Sequence, residues 1–177
     1  MTTDTLTAPA GATEEIREHV PHGKLVIIAW SGELDKVWPQ MILATTGAAM
    51  GMPTTIFFTF WGLFSVVKDE VRITGENWMQ KMMTVLDRPG MEHLKLGKMN
   101  FAGAGPAMMK HLGKQHGVAG PNELLEIARE LGVRLVPCQM TMDLLGLQPG
   151  DMIDGLEEPA GATSMLLEAQ DAVTLFI

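Results

Sequence analysis

Hydrophobic positions in this chain fall into short uninterrupted runs separated by amphipathic stretches. Residues 24–30 (KLVIIAW) are continuous, apolar and largely β-branched, the pattern of a strand buried on both faces. Ser31-Gly32-Glu33 turns the chain. A helix is predicted from Asp35 to about Met50, with Ala44, Gly47, Ala48 and Ala49 permitting close packing, and Gly51 and Pro53 end it. Residues 54–60 (TTIFFTF) read as a second buried strand, so this strand–helix–strand unit implies a parallel pair with a right-handed crossover. Further on, Pro121-Asn122-Glu123 opens a helix through Leu131 with apolar residues at helical spacing, and Gly132 closes it. Residues 133–136 then form a third buried strand and 139–145 a short helix. Residues 152–154 are predicted as a short strand, 161–169 as a helix and 172–177 (AVTLFI) as a terminal strand. Strands alternating with helices give an α/β domain: three layers, α/β/α, around a mainly parallel sheet of about five strands.

The middle of the chain, 68–117, has no such clean period. Residues 77–86 look helical until Asp87-Arg88-Pro89-Gly90 breaks the pattern, and 106–114 predict another helix with Met108, Met109 and Leu112 on its buried side. Met79, Met82, Met83, Met91 and Met99 add to a methionine-rich tract that reads either as flexible core filler or as an adaptable binding surface. An insertion of this length is more than a crossover requires and is of the kind that forms lids or interfaces. Residues 54–67 carry no charge. The stretch is nonetheless shorter than the roughly 18–20 apolar residues of a membrane span and is interrupted by Gly62 and threonines, so a strand running into a hydrophobic loop is expected. Trp61, Leu63 and Phe64 there are either core or the wall of a site or subunit contact.

Composition narrows the function. The 177 residues suit one domain over 23–177, preceded by a disordered Thr/Ala/Glu/Pro arm over 1–22. A net charge of −8 argues against nucleic acid and against electrostatic attachment to anionic lipid. A single cysteine excludes an intrachain disulfide, and the first residues lack the features of a signal peptide, so a cytoplasmic protein is expected. The segment Gly103-Ala104-Gly105-Pro106 lacks the spacing of a dinucleotide loop. His111 and His116 are five apart, which does not place them on one helix face, and His19, His22 and His93 read as surface residues, so neither a metal nor a cofactor is expected.

The remaining chemistry lies in residues 135–146, LVPCQMTMDLLG. Cys138 stands at the carboxyl end of a predicted strand and the amino end of a predicted helix, the edge where parallel α/β proteins bind ligands. The unpaired amides of a helix start favour thiolate over thiol. The plain alternative is a small buried hydrophobe. Asp143 is expected to bond on the helix surface rather than to act as a base.

This run resembles the cysteine motif of the DsrE/DsrF-like family, more narrowly its sulfur-reductase or peroxiredoxin-like DsrE branch. Residues 56–63 (IFFTFWGL), 96–109 (LGKMNFAGAGPAMM) and 174–177 (TLFI) support the match, which spans about 23–177. The resemblance implies a three-layer α/β/α fold and a homo-oligomer. It also implies sulfur held as a cysteine persulfide and exchanged with rhodanese-like and TusA-like proteins, a role that falls on Cys138. Trp61 and Gln139 are then expected beside the sulfur, with a cation from Lys110, His111 or Lys114. The chain departs from relatives that carry a second cysteine, has Pro137 where a small residue is expected, and has Glu158-Pro159-Ala160-Gly161 in place of a Gly-Gly-like turn. Two other readings stand beside the carrier: a non-catalytic oligomeric scaffold with a structural cysteine, and small-cofactor binding at the sheet edge.

Overall fold

The computed structural model describes residues 23–71, 89–98 and 100–177. The expected arm over 1–22 and the expected helix over 77–86 lie outside the described residues. Elements follow in the order β1 (Lys24–Ala29), α1 (Leu34–Ala49), β2 (Thr54–Phe58), a 3-10 turn (Phe60–Val66), α2 (Ala104–Gln115), α3 (Pro121–Glu130), β3 (Arg134–Pro137), α4 (Gln139–Leu145), α5 (Ala162–Glu168) and β4 (Ala172–Phe176). The strands form one sheet in the order β3-β2-β1-β4, and all three pairings are parallel. The α/β class and the parallel sheet predicted from the hydrophobic runs are therefore present.

Side-chain alternation along the strands divides the core in two. Leu25, Ile27, Ile56, Phe58 and Leu135 point to one face and pack with Val37, Met41 and Ala44 of α1 and with Leu124, Leu125 and Ala128 of α3. Gly47 lets α1 come close to the sheet, since a Cβ there would stand 2.6 Å from Leu25 Cδ2. Val26, Phe57, Val136 and Cys138 point to the other face, where the covering helix is the short α5, through Met165. Among the described residues the second layer is thus much thinner than the first.

Three local expectations are corrected. The sheet has four strands among the described residues, because the apolar pair at 152–153 only pins a loop. Met152 makes an isolated antiparallel bridge with Val67, and the Ile153 amide donates to Val66 O at 3.0 Å. The second strand stops at Phe58: Phe60 has φ 48°, and the chain winds into the 3-10 turn. Gly62 is required there, for an added Cβ would fall 2.1 Å from the Ala29 carbonyl oxygen. Finally, Met108, Met109 and Leu112 are not the buried side of α2; they are about half exposed, and the buried residues of that helix are Gly105 and Pro106. Met109 and Leu112 instead look onto an apolar groove of about 390 Å³ shared with Trp38, Pro39 and Ile42 of α1. The methionines divide accordingly: Met91 is core, and Met108 and Met109 are surface. Among the described residues no helix is long and apolar enough to cross a membrane.

Candidate functional site

β3 carries Arg134, Val136 and Cys138 on the thin second face, and Cys138 is the residue at which extended geometry gives way to α4. Its backbone (φ −79°, ψ 115°) is still that of a strand. Its amide donates to Phe58 O at 2.9 Å, extending the β2–β3 ladder by one step. On the opposite side, residues 157–160 run alongside β3. The Glu157 amide donates to Leu135 O (2.8 Å), the Ala160 amide to Pro137 O (3.0 Å) and the Gln139 amide to Ala160 O (3.0 Å), so Cys138 and Ala160 form a parallel bridge. The sulfur-bearing residue is held from both flanks and is buried, with 6% of its surface exposed. The amide of Gln139, expected to face the sulfur, is thus already engaged. The donors that the first turn of α4 retains are those of Met140 and Thr141.

The floor of the site is a pair of threonines. Thr141, itself buried, places Oγ1 3.1 Å from Thr59 Oγ1 and accepts the Phe60 amide at 3.1 Å. These bonds tie the end of β2 to the first turn of α4. Continuing the strand register by one residue sets Trp30, Thr59 and Cys138 in a row across the carboxyl edge of the sheet, with Trp30 about 10 Å from Cys138 at the usual strand spacing. Trp30 stacks on Phe176, ring centres 5.9 Å apart.

The residues singled out in the sequence separate into two groups. Gln139 adjoins Cys138, and its Nε2 donates to Asp143 Oδ1 at 2.7 Å, so Asp143 bonds along the helix surface. Trp61 lies at the same sheet edge but turns its ring edge-on to Phe64, a residue of the first-face core, at 5.7 Å. Lys110 is not brought to the sulfur. It pairs with Glu92 Oε2 at 2.9 Å and, with Lys114, lines a cavity of about 280 Å³ beside Trp38 and Asn122, on the opposite face of the sheet. His111 is exposed on the same helix.

Two features carry no local sequence signal. Ala160 reaches Cys138 only through a loop that the sequence does not place. Arg134, two positions before Val136 on the thiol's face, chelates Glu157 through Nε and Nη2 at 2.8 Å each and meets Glu168 at 3.1 Å. The Arg134 hydrogen bonds hold the Glu157 carboxyl below its usual range, outweighing partial burial. Arg134 and Glu168 rim a small cavity of about 90 Å³ that reaches Ala160, Ser164 and Met165.

Comparison with known proteins converges on one group. The model of the DsrE/DsrF/DrsH-like family matches residues 21–176. The chain is 40% identical to the uncharacterized protein YrkE of Bacillus subtilis, over 87% of this chain and 96% of that protein. It is 37% identical to the sulfur carrier protein DsrE2 of Allochromatium vinosum, over 87% of this chain and 98% of that protein.

Proposed function

We propose, from the premise that this chain belongs to the DsrE/DsrF/DrsH-like family, that it is a sulfur carrier working through Cys138. The observation that bears the reading is the placement of this cysteine, the one thiol of the chain, at the carboxyl edge of a parallel sheet. The Cys138 thiolate attacks the sulfane sulfur of a donor, the donor's S–S bond breaks, and the donor thiolate leaves. The resulting Cys138 persulfide is then attacked at its outer sulfur by an acceptor thiolate, which takes that sulfur and restores Cys138. Each step is a displacement, so the protein is neither oxidised nor reduced over the cycle.

The tight flanks of the site fit holding rather than free reaction. With 6% of the residue exposed, a persulfide is kept from bulk thiols, and transfer requires the 157–161 segment or the Phe60 turn to yield to a docked partner. Trp61 screens the edge, and Gln139 fixes the outer side of the first turn. Donors and acceptors are rhodanese-like and TusA-like proteins of the cytoplasm, met by a homo-oligomer of this chain. Intact mass after incubation with polysulfide, then with reductant, tests the reading. A reductant-sensitive gain of one sulfur is expected, absent from Cys138→Ser. A folded wild-type protein that takes up no sulfur removes it. The burial of Cys138 favours the second reading, a scaffold with a structural cysteine; in that case Cys138→Ser loses assembly or stability instead of sulfur uptake.

A further inference from the structure

Cys138 is buried within the single chain, so whatever reaches its sulfur must first displace one of its two flanks. The flanks are tied unequally. On the Ala160 side, three backbone hydrogen bonds and the Arg134–Glu157 pair hold residues 157–160 against β3 and the start of α4. On the other side Thr59 stands opposite Cys138 in the strand register. From there Phe60 crosses to Thr141, three residues beyond Cys138 on the first turn of α4, and its amide is held by the Thr141 hydroxyl at 3.1 Å. The neighbours of Phe60 are fixed. The Thr59 amide donates to Ala29 O at 2.9 Å, the Gly62 amide donates to Trp30 O at 3.0 Å, and the Trp61 ring rests edge-on against the buried Phe64. A movement of this flank therefore concentrates at one residue.

That residue is strained. Phe60 has φ 48°, a left-handed conformation that bulky side chains seldom adopt, directly after an extended Thr59 (φ −133°, ψ 158°). Of the non-glycine residues with positive φ among the described residues, Phe60, Phe101 and Asp171, it is the one beside the thiol. Burial does not hold it there, because the residue is 55% exposed. A left-handed backbone costs about as much as one neutral hydrogen bond returns, so a closed and an open arrangement lie close in free energy. We propose that Phe60 is a latch on Cys138. In the closed arrangement, that of this structure, its amide is bonded to Thr141 and its peptide covers the thiol. In the open one φ turns negative, the strain is released, the amide leaves the hydroxyl and the sulfur is uncovered. The exposed ring is the part that a docked partner takes hold of. That the latch governs sulfur exchange rests on the carrier reading; that it governs access to Cys138 does not.

Substitutions at residue 60 of the full chain test this through the rate at which iodoacetamide alkylates Cys138, a rate that follows the open population when the latch moves faster than the reagent reacts. Phe60→Asn keeps the amide and accepts a left-handed backbone, so the closed arrangement gains; alkylation about tenfold slower than wild type is expected. Phe60→Pro cannot take a positive φ and has no N–H for Thr141, so alkylation about tenfold faster or more is expected. Phe60→Ala loses the ring but keeps the strain and should stay within about threefold of wild type. Circular dichroism verifies each fold, and if Phe60→Pro does not fold, the contrast between Phe60→Asn and Phe60→Ala decides. A Phe60→Asn alkylated as fast as wild type or faster, or equal changes in Phe60→Asn and Phe60→Ala, overturns the latch. Sulfur uptake from polysulfide, measured on the same samples, should follow the same order. The expected alkylation series in a protein that takes up no sulfur removes the carrier reading alone. Uptake by a wild type whose alkylation is indifferent to residue 60 removes the latch alone.

Discussion

Thr141 is the side chain on which the shape of the site depends. Its hydroxyl can accept two hydrogen bonds and donate one. It is occupied by the Phe60 amide and the Thr59 hydroxyl in a place with almost no water. Thr141→Val keeps the volume and leaves both groups without a partner. A stability loss of about 1–3 kcal/mol is expected from urea midpoints, with faster alkylation of Cys138 because the Phe60 turn is released. Thr141→Ser keeps the hydroxyl and should lie much nearer wild type; equal losses for both variants would place the effect in packing. At this scale the sequence is partly legible. Val133–Val136 followed by Pro137 announces a strand end, and that alone suffices to set Cys138 at the sheet edge. Lys110 is not legible in the same way, because its charge says nothing about the face of the sheet to which its helix packs.

Among the elements, β1, β2 and β3 are buried in the sheet, so uninterrupted apolar sequence marks them, and that signal also finds β4 although that edge strand is largely exposed. The same signal misleads at Met152, where an apolar pair serves a bridge rather than a strand. It also misleads on α2, whose apolar stripe is real but lies along an open groove. Periodicity reports that a face is apolar and not what covers it. The 157–160 segment is the least legible element and the one nearest the thiol. Its anchor is Arg134 with Glu157 and Glu168, an ion-pair cluster joining β3, the segment and α5. The folded-state pKa of Glu157 lies below its ordinary 4.5, so its contribution is complete above pH 4.5 and disappears as pH falls through the depressed value. With the side chains 47% and 41% exposed, screening limits the pair to about 1 kcal/mol or less. Glu157→Gln should therefore lower neutral stability slightly and make the acid side of the stability profile shallower below pH 4.5. A variant profile parallel to wild type throughout would mean that Arg134 and Glu157 do not hold this segment.

For the molecule as a whole, the decisive contrast is between a chain carrying a net −8 and a sheet edge carrying almost no charge. Two copies in contact, as the proposed homo-oligomer requires, would have centres about 35 Å apart, given the dimensions of a domain this long. The Debye length is about 30 Å at 10 mM salt and about 8 Å at 150 mM, so the mutual repulsion is felt in the first case and nearly extinguished in the second. In water that repulsion is on the order of 2 kcal/mol at the lower salt, which corresponds to a dissociation constant some tens of times weaker. Self-association measured by sedimentation equilibrium should accordingly tighten as salt rises from about 10 to about 150 mM. An interface built on ion pairs would respond in the opposite sense, because screening weakens the pairs as well as the repulsion. Loosening with salt would thus place the joint between copies on the charged surfaces of the molecule rather than on its apolar ones.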